Sequence, residues 1–271
     1  MSDRSSAGTA DFGIELVRGD DGVAWLVLRN PRRLNAVRLE MWQAIPATVA
    51  AAAADRAVRV LVMRGDGSDA FASGADISEF ETHRADAASA ARYEETTTHA
   101  FAALLAFEKP LLAMVHGVCI GGGLALAACA DLRLAAADAR FALPAARLGL
   151  GYHASGVSRL VGIVGIAAAA EIFFTARAYT ADEALGMGLV NRVVPKADLD
   201  AFTARYAGTI AENAPLTLRA AKRAILETQR EPAQRDRAGL SRMIAACFES
   251  ADYAEGVRAF LEKRAPRFRG E

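Results

Sequence analysis

Three consecutive glycines, Gly121, Gly122 and Gly123, stand between a short apolar run and a run of small residues. Glycines between a strand and a helix let the backbone approach a ligand closely and present N–H groups at the positive end of the helix dipole. An anion or oxyanion suits such a place. A second turn, Phe71-Ala72-Ser73-Gly74-Ala75-Asp76-Ile77, also follows a strand signal and offers another N–H group. Two such donors aimed at one carbonyl oxygen form an oxyanion hole, in which a single donor is worth ~3 kcal/mol in the transition state. The alternative reading of the triplet is a tight strand-to-helix connection with no ligand. A dinucleotide site fits poorly, because no acidic residue about 20 positions further on closes a following strand.

The elements that must position these turns follow from hydrophobic pattern and turn chemistry. Val23–Leu28 and Val58–Met63 read as buried strands ending at Asn30-Pro31 and at the GDGSD turn. Leu39–Ala54 reads as a helix that Pro46 should end or kink. Leu111–Val115 reads as a further strand, Leu124–Ala130 as a small-residue helix, Asp131–Leu143 as two short strands around a turn, and Ala167–Thr175 as a helix. Alternating strands and helices point to an α/β architecture. Three segments are expected: a disordered N-terminus over 1–10, a core over 11–198, and a helical region over 199–271 punctuated by Pro215, Pro232 and Pro266.

The 271 residues are enough to bury a large core, and a formal net charge of zero excludes a global field that would gather nucleic acid or an anionic membrane. An acidic ligand must be met by local cations. The three cysteines, Cys119, Cys129 and Cys247, are scattered through apolar runs and suggest neither a disulfide framework nor a metal site. No signal-peptide pattern opens the chain, and glycine or charge interrupts the apolar runs, so a cytoplasmic protein without a membrane span is expected. Neither a metal nor a nicotinamide cofactor is indicated.

Five motifs in order, PRRLNAV at 31–37, FASGADI at 71–77, the glycine triplet, LTLRAAKRAI at 216–225 and FLEKRAPRF at 260–268, resemble the enoyl-CoA hydratase/isomerase family, the crotonase superfamily. The resemblance implies a crotonase-like spiral of repeated strand-strand-helix units, a C-terminal helical trimerisation region that builds a homotrimer or hexamer, and an acyl-CoA thioester as substrate. On that template the N–H groups of Ala75 and Gly122 hold the thioester oxygen of an enolate-like anion. Arg32, Arg33 and Leu34, with Ala75, Asp76 and Ile77, match positions that line coenzyme A, and Phe260 and Lys263 match residues that a neighbouring subunit lays over the adenine. Coenzyme A enters as part of the substrate, with no separate cofactor.

The pattern departs from the family at two positions. Hydratases of the family place one glutamate two residues after the triplet and another after the proline that matches Pro144; here Ala125 and Ala145 stand there. Alanine carries no proton, and general acid–base help is commonly worth 10²- to 10⁴-fold. Tyr152 and His153 are the local replacements, in a segment that resembles methylmalonyl-CoA decarboxylase-like members, so decarboxylase- or thioesterase-like activity is one alternative. A catalytically silent acyl-CoA-binding protein is the other. His116 reads as structural, Asp131 as a cap that orients the turn after the helix, and His83, Glu94 and Glu95 as a solvated helix face.

Overall fold

A computed structural model describes residues 12–271 apart from Arg84 and His153. The N-terminal segment 1–10 and the His153 candidate therefore lie outside the described residues.

Strands β1 (Gly13–Arg18) and β2 (Val23–Arg29) form a hairpin, and α1 (Leu39–Ala54) leads on to β3 (Val60–Gly65) and β4 (Ala70–Ala72). A single-turn helix α2 (Phe80–His83) and the long α3 (Ala87–Leu105) follow. Next come β5 (Leu111–Val115), β6 (Val118–Ile120) and α4 (Gly122–Cys129), then β7 (Leu132–Ala136), β8 (Arg140–Ala142) and α5 (Ala154–Thr175). Strand β9 (Tyr179–Thr180), α6 (Ala181–Gly186) and β10 (Arg192–Val194) precede four helices, α7 (Leu199–Ala211), α8 (Pro215–Thr228), α9 (Arg237–Glu249) and α10 (Ala251–Leu261).

The repeat is a spiral. β3, β5 and β7 lie side by side and parallel in a six-stranded sheet of order β1, β2, β3, β5, β7, β10. Their successors β4, β6 and β8 lie side by side and parallel in a four-stranded sheet of order β4, β6, β8, β9. Each strand-strand-helix unit adds one strand to each sheet and is displaced from the last by one strand spacing, about 4.8 Å. The α/β spiral expected from the sequence is the fold observed, and its C-terminal region is helical.

Alternation along the strands builds two cores. Leu61 and Met63 face Trp42 and Ile45 of α1 and Tyr93 and Leu104 of α3. Val60 and Val62 face the other way, onto Leu199, Ala207 and Ala211 of α7. Side chains two apart share a face of a strand, so the same short run supplies both layers.

Two expectations change. Pro46 does not end α1, which runs through it from Leu39 to Ala54. The helix buries Met41, Trp42, Ile45, Val49 and Ala52 as one stripe, and this burial outweighs the backbone hydrogen bond that proline forfeits. The helix expected over 167–175 starts earlier, at Ala154, where Gly156, Gly162 and Gly165 weaken the local helix signal. This segment has the length and apolar character of a membrane span, but Gly165 (φ 78°, ψ 167°) divides it into two helices. Each half is shorter than the ~20 residues a span requires.

Asp131 does more than cap a turn. Leu111 donates its backbone N–H to Asp131 Oδ2 at 2.8 Å, and Lys222 Nζ of α8 lies 2.8 Å from the same oxygen. Lys222 also donates to the Lys109 carbonyl, and its burial pulls its pKa below the usual lysine value. The pair thus clamps the C-terminal helices onto the core. Asp131→Ala strands a largely buried ammonium and is expected to cost ~3 kcal/mol. Urea unfolding should show a lower midpoint with an unchanged slope; a loss under ~1 kcal/mol would contradict the clamp.

His116 is fully buried at the end of β5, its Nε2 3.4 Å from Asp200 Oδ2 and its Nδ1 without a partner among the described residues. Burial pushes its pKa below the usual value, Arg64 and Lys196 act in the same direction, and Asp200 opposes them. The native state therefore refuses a proton that the unfolded chain accepts below about pH 6.5. Stability is expected to fall as pH drops through that value toward the lower native pKa. His116→Gln should flatten this part of the urea-midpoint profile; an identical profile would contradict it.

Candidate active site

The site forms where the parallel strands of the small sheet end. β4 pairs with β6 and β6 with β8, so the turns that follow them, carrying Ala75, Gly122 and Ala145, lie next to one another. The 31–37 segment joins at the outer edge. Ser73 donates its backbone N–H to the Leu34 carbonyl, Val37 donates to Gly74, and Asp76 donates to Val37, at 3.0, 2.7 and 3.1 Å. Two motifs far apart in sequence therefore form one wall.

The hydrogen bonds at the Val37–Ala75 bridge use the Gly74 carbonyl and the Asp76 N–H and bypass Ala75 N–H. Gly122 opens α4, so its N–H has no acceptor within the helix. Among the described residues neither N–H makes a hydrogen bond. The two groups are close: a Cβ at Gly122 would lie 3.4 Å from the Ala75 nitrogen. Glycine is demanded here by geometry. Gly121 adopts φ 55°, ψ −118°, and a Cβ at Gly123 would meet the Ala72 carbonyl oxygen at 2.3 Å, a contact that only glycine avoids.

Around these donors the wall mixes charge with exposed apolar surface. Arg33 lies 3.5 Å from Asp76 Oδ1 and remains more than half exposed, and Arg32 is exposed on the same turn. Leu34 and Ile77 are exposed at 45% and 63% beside them. Asp76 is buried and accepts hydrogen bonds from the Ser78 N–H and hydroxyl at 3.1 and 2.7 Å, so it caps the turn and tethers Arg33.

Ala125 lies one turn into α4 and is half-buried, while Ala145 opens the short helical turn Pro144–Leu148 and is 9% exposed. Cys129 stands one turn beyond Ala125 and donates its thiol to the Ala125 carbonyl at 3.4 Å. Tyr152 packs edge-on against Phe173 with ring centroids 5.1 Å apart. Burial, with a smaller push from Cys129, raises its hydroxyl to about 12, and burial raises the Cys129 thiol to about 12 as well. Both stay protonated at neutral pH. Tyr152 can donate a hydrogen bond but is no base.

Phe260 and Lys263 are not brought to these turns by their own chain. They sit at the end of α10, and the tail beyond them anchors to Arg59 and Arg56 at the start of β3 through the Phe268 carbonyl and Glu271. The turns lie past the other end of that strand, about 20 Å away at 3.3 Å per residue. Glu94 and Glu95 are exposed on α3, and His83 is half-buried at the end of α2.

Trp42, Glu79 and Asn35 were not singled out from the sequence. Glu79 is buried, holds Arg38 at 2.8 Å and accepts the Leu39 N–H at 2.8 Å, capping α1 from outside its own segment. Asn35, at φ 56°, donates to the Asp66 and Ala70 carbonyls and so fixes the 31–37 turn to the wall. The positive φ preference of asparagine is the one local signal that marks it.

A family model described as Enoyl-CoA hydratase/isomerase matches residues 18–271. The chain belongs to the enoyl-CoA hydratase/isomerase family. It is 33% identical over 253 residues to the crotonyl-CoA hydratase of Syntrophomonas wolfei, covering 93% of this chain and 96% of that protein. It is 32% identical over 216 residues to the methylmalonyl-CoA decarboxylase of Escherichia coli, covering 79% of this chain and 82% of that protein. The crystal structure of an enoyl-CoA hydratase/carnithine racemase from Magnetospirillum magneticum superposes with a TM-score of 0.91 at 38% identity, over 95% of this chain and 96% of that one. Family relatives of this similarity thus carry both hydratase and decarboxylase names.

Proposed function

We propose that this family member is an acyl-CoA enzyme that polarises a thioester carbonyl with the Ala75 and Gly122 N–H groups and stabilises the enolate that results. The observation that carries this reading is the pair of adjacent, unbonded backbone donors at the ends of two neighbouring parallel strands. Such donors are already oriented and need no reorganisation as negative charge develops. Arg32, Arg33, Leu34 and Ile77 would line coenzyme A, with Asp76 holding Arg33 in place. Phe260 and Lys263 would reach the adenine from a neighbouring subunit of a homotrimer or hexamer. No resident cofactor is required.

The usual pair of glutamates is replaced by Ala125 and Ala145, so water addition by that route is not the reaction proposed. A second reading is favoured by Tyr152, a protonated donor close to the face of α4 that carries Ala125 and Cys129. Loss of carbon dioxide from an acyl-CoA bearing its own carboxylate generates the enolate without a protein base. The electron pair of the breaking carbon–carbon bond moves into the thioester as carbon dioxide leaves, and a proton from water then adds to the α-carbon. Product analysis across malonyl-, methylmalonyl-, crotonyl- and acetyl-CoA tests both readings. Calorimetric binding of these thioesters is expected. Absence of binding would end the proposal, and unchanged decarboxylation by Tyr152→Phe would end the second reading.

A further inference from the structure

We infer that Trp42 and Tyr93 are positioning residues that set the two backbone donors of the proposed oxyanion hole; the inference rests on that reading of the site. Trp42 comes from α1 and Tyr93 from α3, elements that touch neither donor through their own backbones in the hydrogen-bond pattern. Both side chains are almost completely buried, at 1% and 2% exposure.

The indole lies directly against the glycine turn. A Cβ at Gly122 would fall 3.2 Å from Trp42 Cζ2 and 3.5 Å from Cη2, while the Ala75 nitrogen is 3.4 Å from that same point. The ring edge and the Ala75 peptide therefore flank the first residue of α4. A buried ring that cannot rotate limits how far that residue can move.

The ring is itself held on two sides. Its Nε1–H donates to the Tyr93 hydroxyl at 3.1 Å, and it packs in a T-shaped arrangement with Phe101, the ring centroids 5.3 Å apart. Tyr93 makes a further edge contact with Phe80, at 6.2 Å, and Phe80 immediately follows the turn Ile77–Glu79 that continues from Ala75. The chain of contacts Gly122, Trp42, Tyr93, Phe80 thus links the two donor turns by a route separate from the sheet. Glu79 completes it, because its carboxylate accepts the Leu39 N–H at the start of the helix that carries Trp42. A shift of one donor relative to the other is resisted by packing and by a buried hydrogen bond.

The probe is acetoacetyl-CoA, whose acidic methylene group gives up a proton to water and leaves an enolate that absorbs light and bears charge on the thioester oxygen. Free coenzyme A is the control, since it has no acyl carbonyl. Wild-type protein is expected to raise the enolate fraction of bound acetoacetyl-CoA above that in solution at the same pH. Trp42→Phe should lower that fraction about tenfold, and Tyr93→Phe, which deletes only the hydroxyl, about threefold, with affinity for coenzyme A within about threefold of wild type. Wild-type enolate fraction in Trp42→Phe overturns the inference and leaves the oxyanion-hole reading standing. Parallel loss of coenzyme A affinity in both variants shows a merely structural role and also overturns it. No enolate enrichment by the wild-type protein removes the reading itself, and the inference with it.

Discussion

The double substitution Ala125→Glu with Ala145→Glu is expected to give the protein crotonyl-CoA hydration at least 100-fold above its wild-type level, the lower end of what acid–base help supplies. Both positions lie on the turns that follow neighbouring strands of the small sheet. Ala125 lies in the first turn of α4, immediately beyond the Gly122 N–H, and Ala145 opens the turn after β8, one strand away. At 9% exposure, position 145 would hold a carboxyl group whose burial favours its neutral form, while half-buried position 125 would favour the ionised form more. Two carboxyls with separated pKa values are what water addition needs. Extra volume in a packed region costs ~1–3 kcal/mol, so the variant must be checked for an unchanged fold and for coenzyme A binding. A folded, binding-competent variant with no gain would mean that the two alanines are not the missing acid and base.

Ala75→Pro is expected to lower kcat by 10²- to 10³-fold on whichever thioester the wild-type protein turns over fastest, the cost of deleting one oxyanion donor. Proline removes this backbone N–H, which makes no hydrogen bond among the described residues, and it also locks φ near −65° and puts a ring carbon where the hydrogen pointed, so the substitution both deletes the donor and fills the space it serves. The neighbouring bonds from Val37 to Gly74 and from Asp76 to Val37 do not use it. Affinity for free coenzyme A should change little while turnover collapses; proline also restricts Gly74, which sits at φ 114°, so the variant must be shown to unfold at an unchanged urea midpoint. Retained turnover would show that Ala75 is not a donor; lost coenzyme A affinity would show that the wall itself had been disturbed.

Several strands were legible because their signals are local, although β1, β6, β9 and β10 were not read and the strand expected over Val58–Met63 runs from Val60 to Gly65. Leu111–Val115 is a strand over its expected span, and Val23–Leu28 is observed one residue longer. β-Rich runs ended by turn residues need no tertiary information. The helices were less legible where tertiary burial overrides propensity, as at Pro46 in α1, or where glycines mask a helix, as in α5. The site was legible only in part. The proposed donors are backbone groups, so Ala75 and Gly122 carry no side-chain signal, and their meeting depends on the long-range pairing of β4 with β6. Trp42 was visible only as one apolar residue of a helix stripe; that it presses on Gly122 and bonds Tyr93 follows from how α1 and α3 pack. The charges of Arg33 and Asp76 stand in readable motifs, yet their pairing at 3.5 Å needed the wall that joins 31–37 to 71–77.

The most direct measurement is hydration of crotonyl-CoA by the wild-type protein, followed as loss of enoyl absorbance at a concentration that calorimetry shows to be saturating. The chain should bind the thioester and leave it unhydrated, because the proposed oxyanion hole would polarise the carbonyl while Ala125 and Ala145 offer no proton. Hydration with kcat above about 1 s⁻¹, within the ordinary range of enzymes, would contradict this and require another acid and base in the pocket.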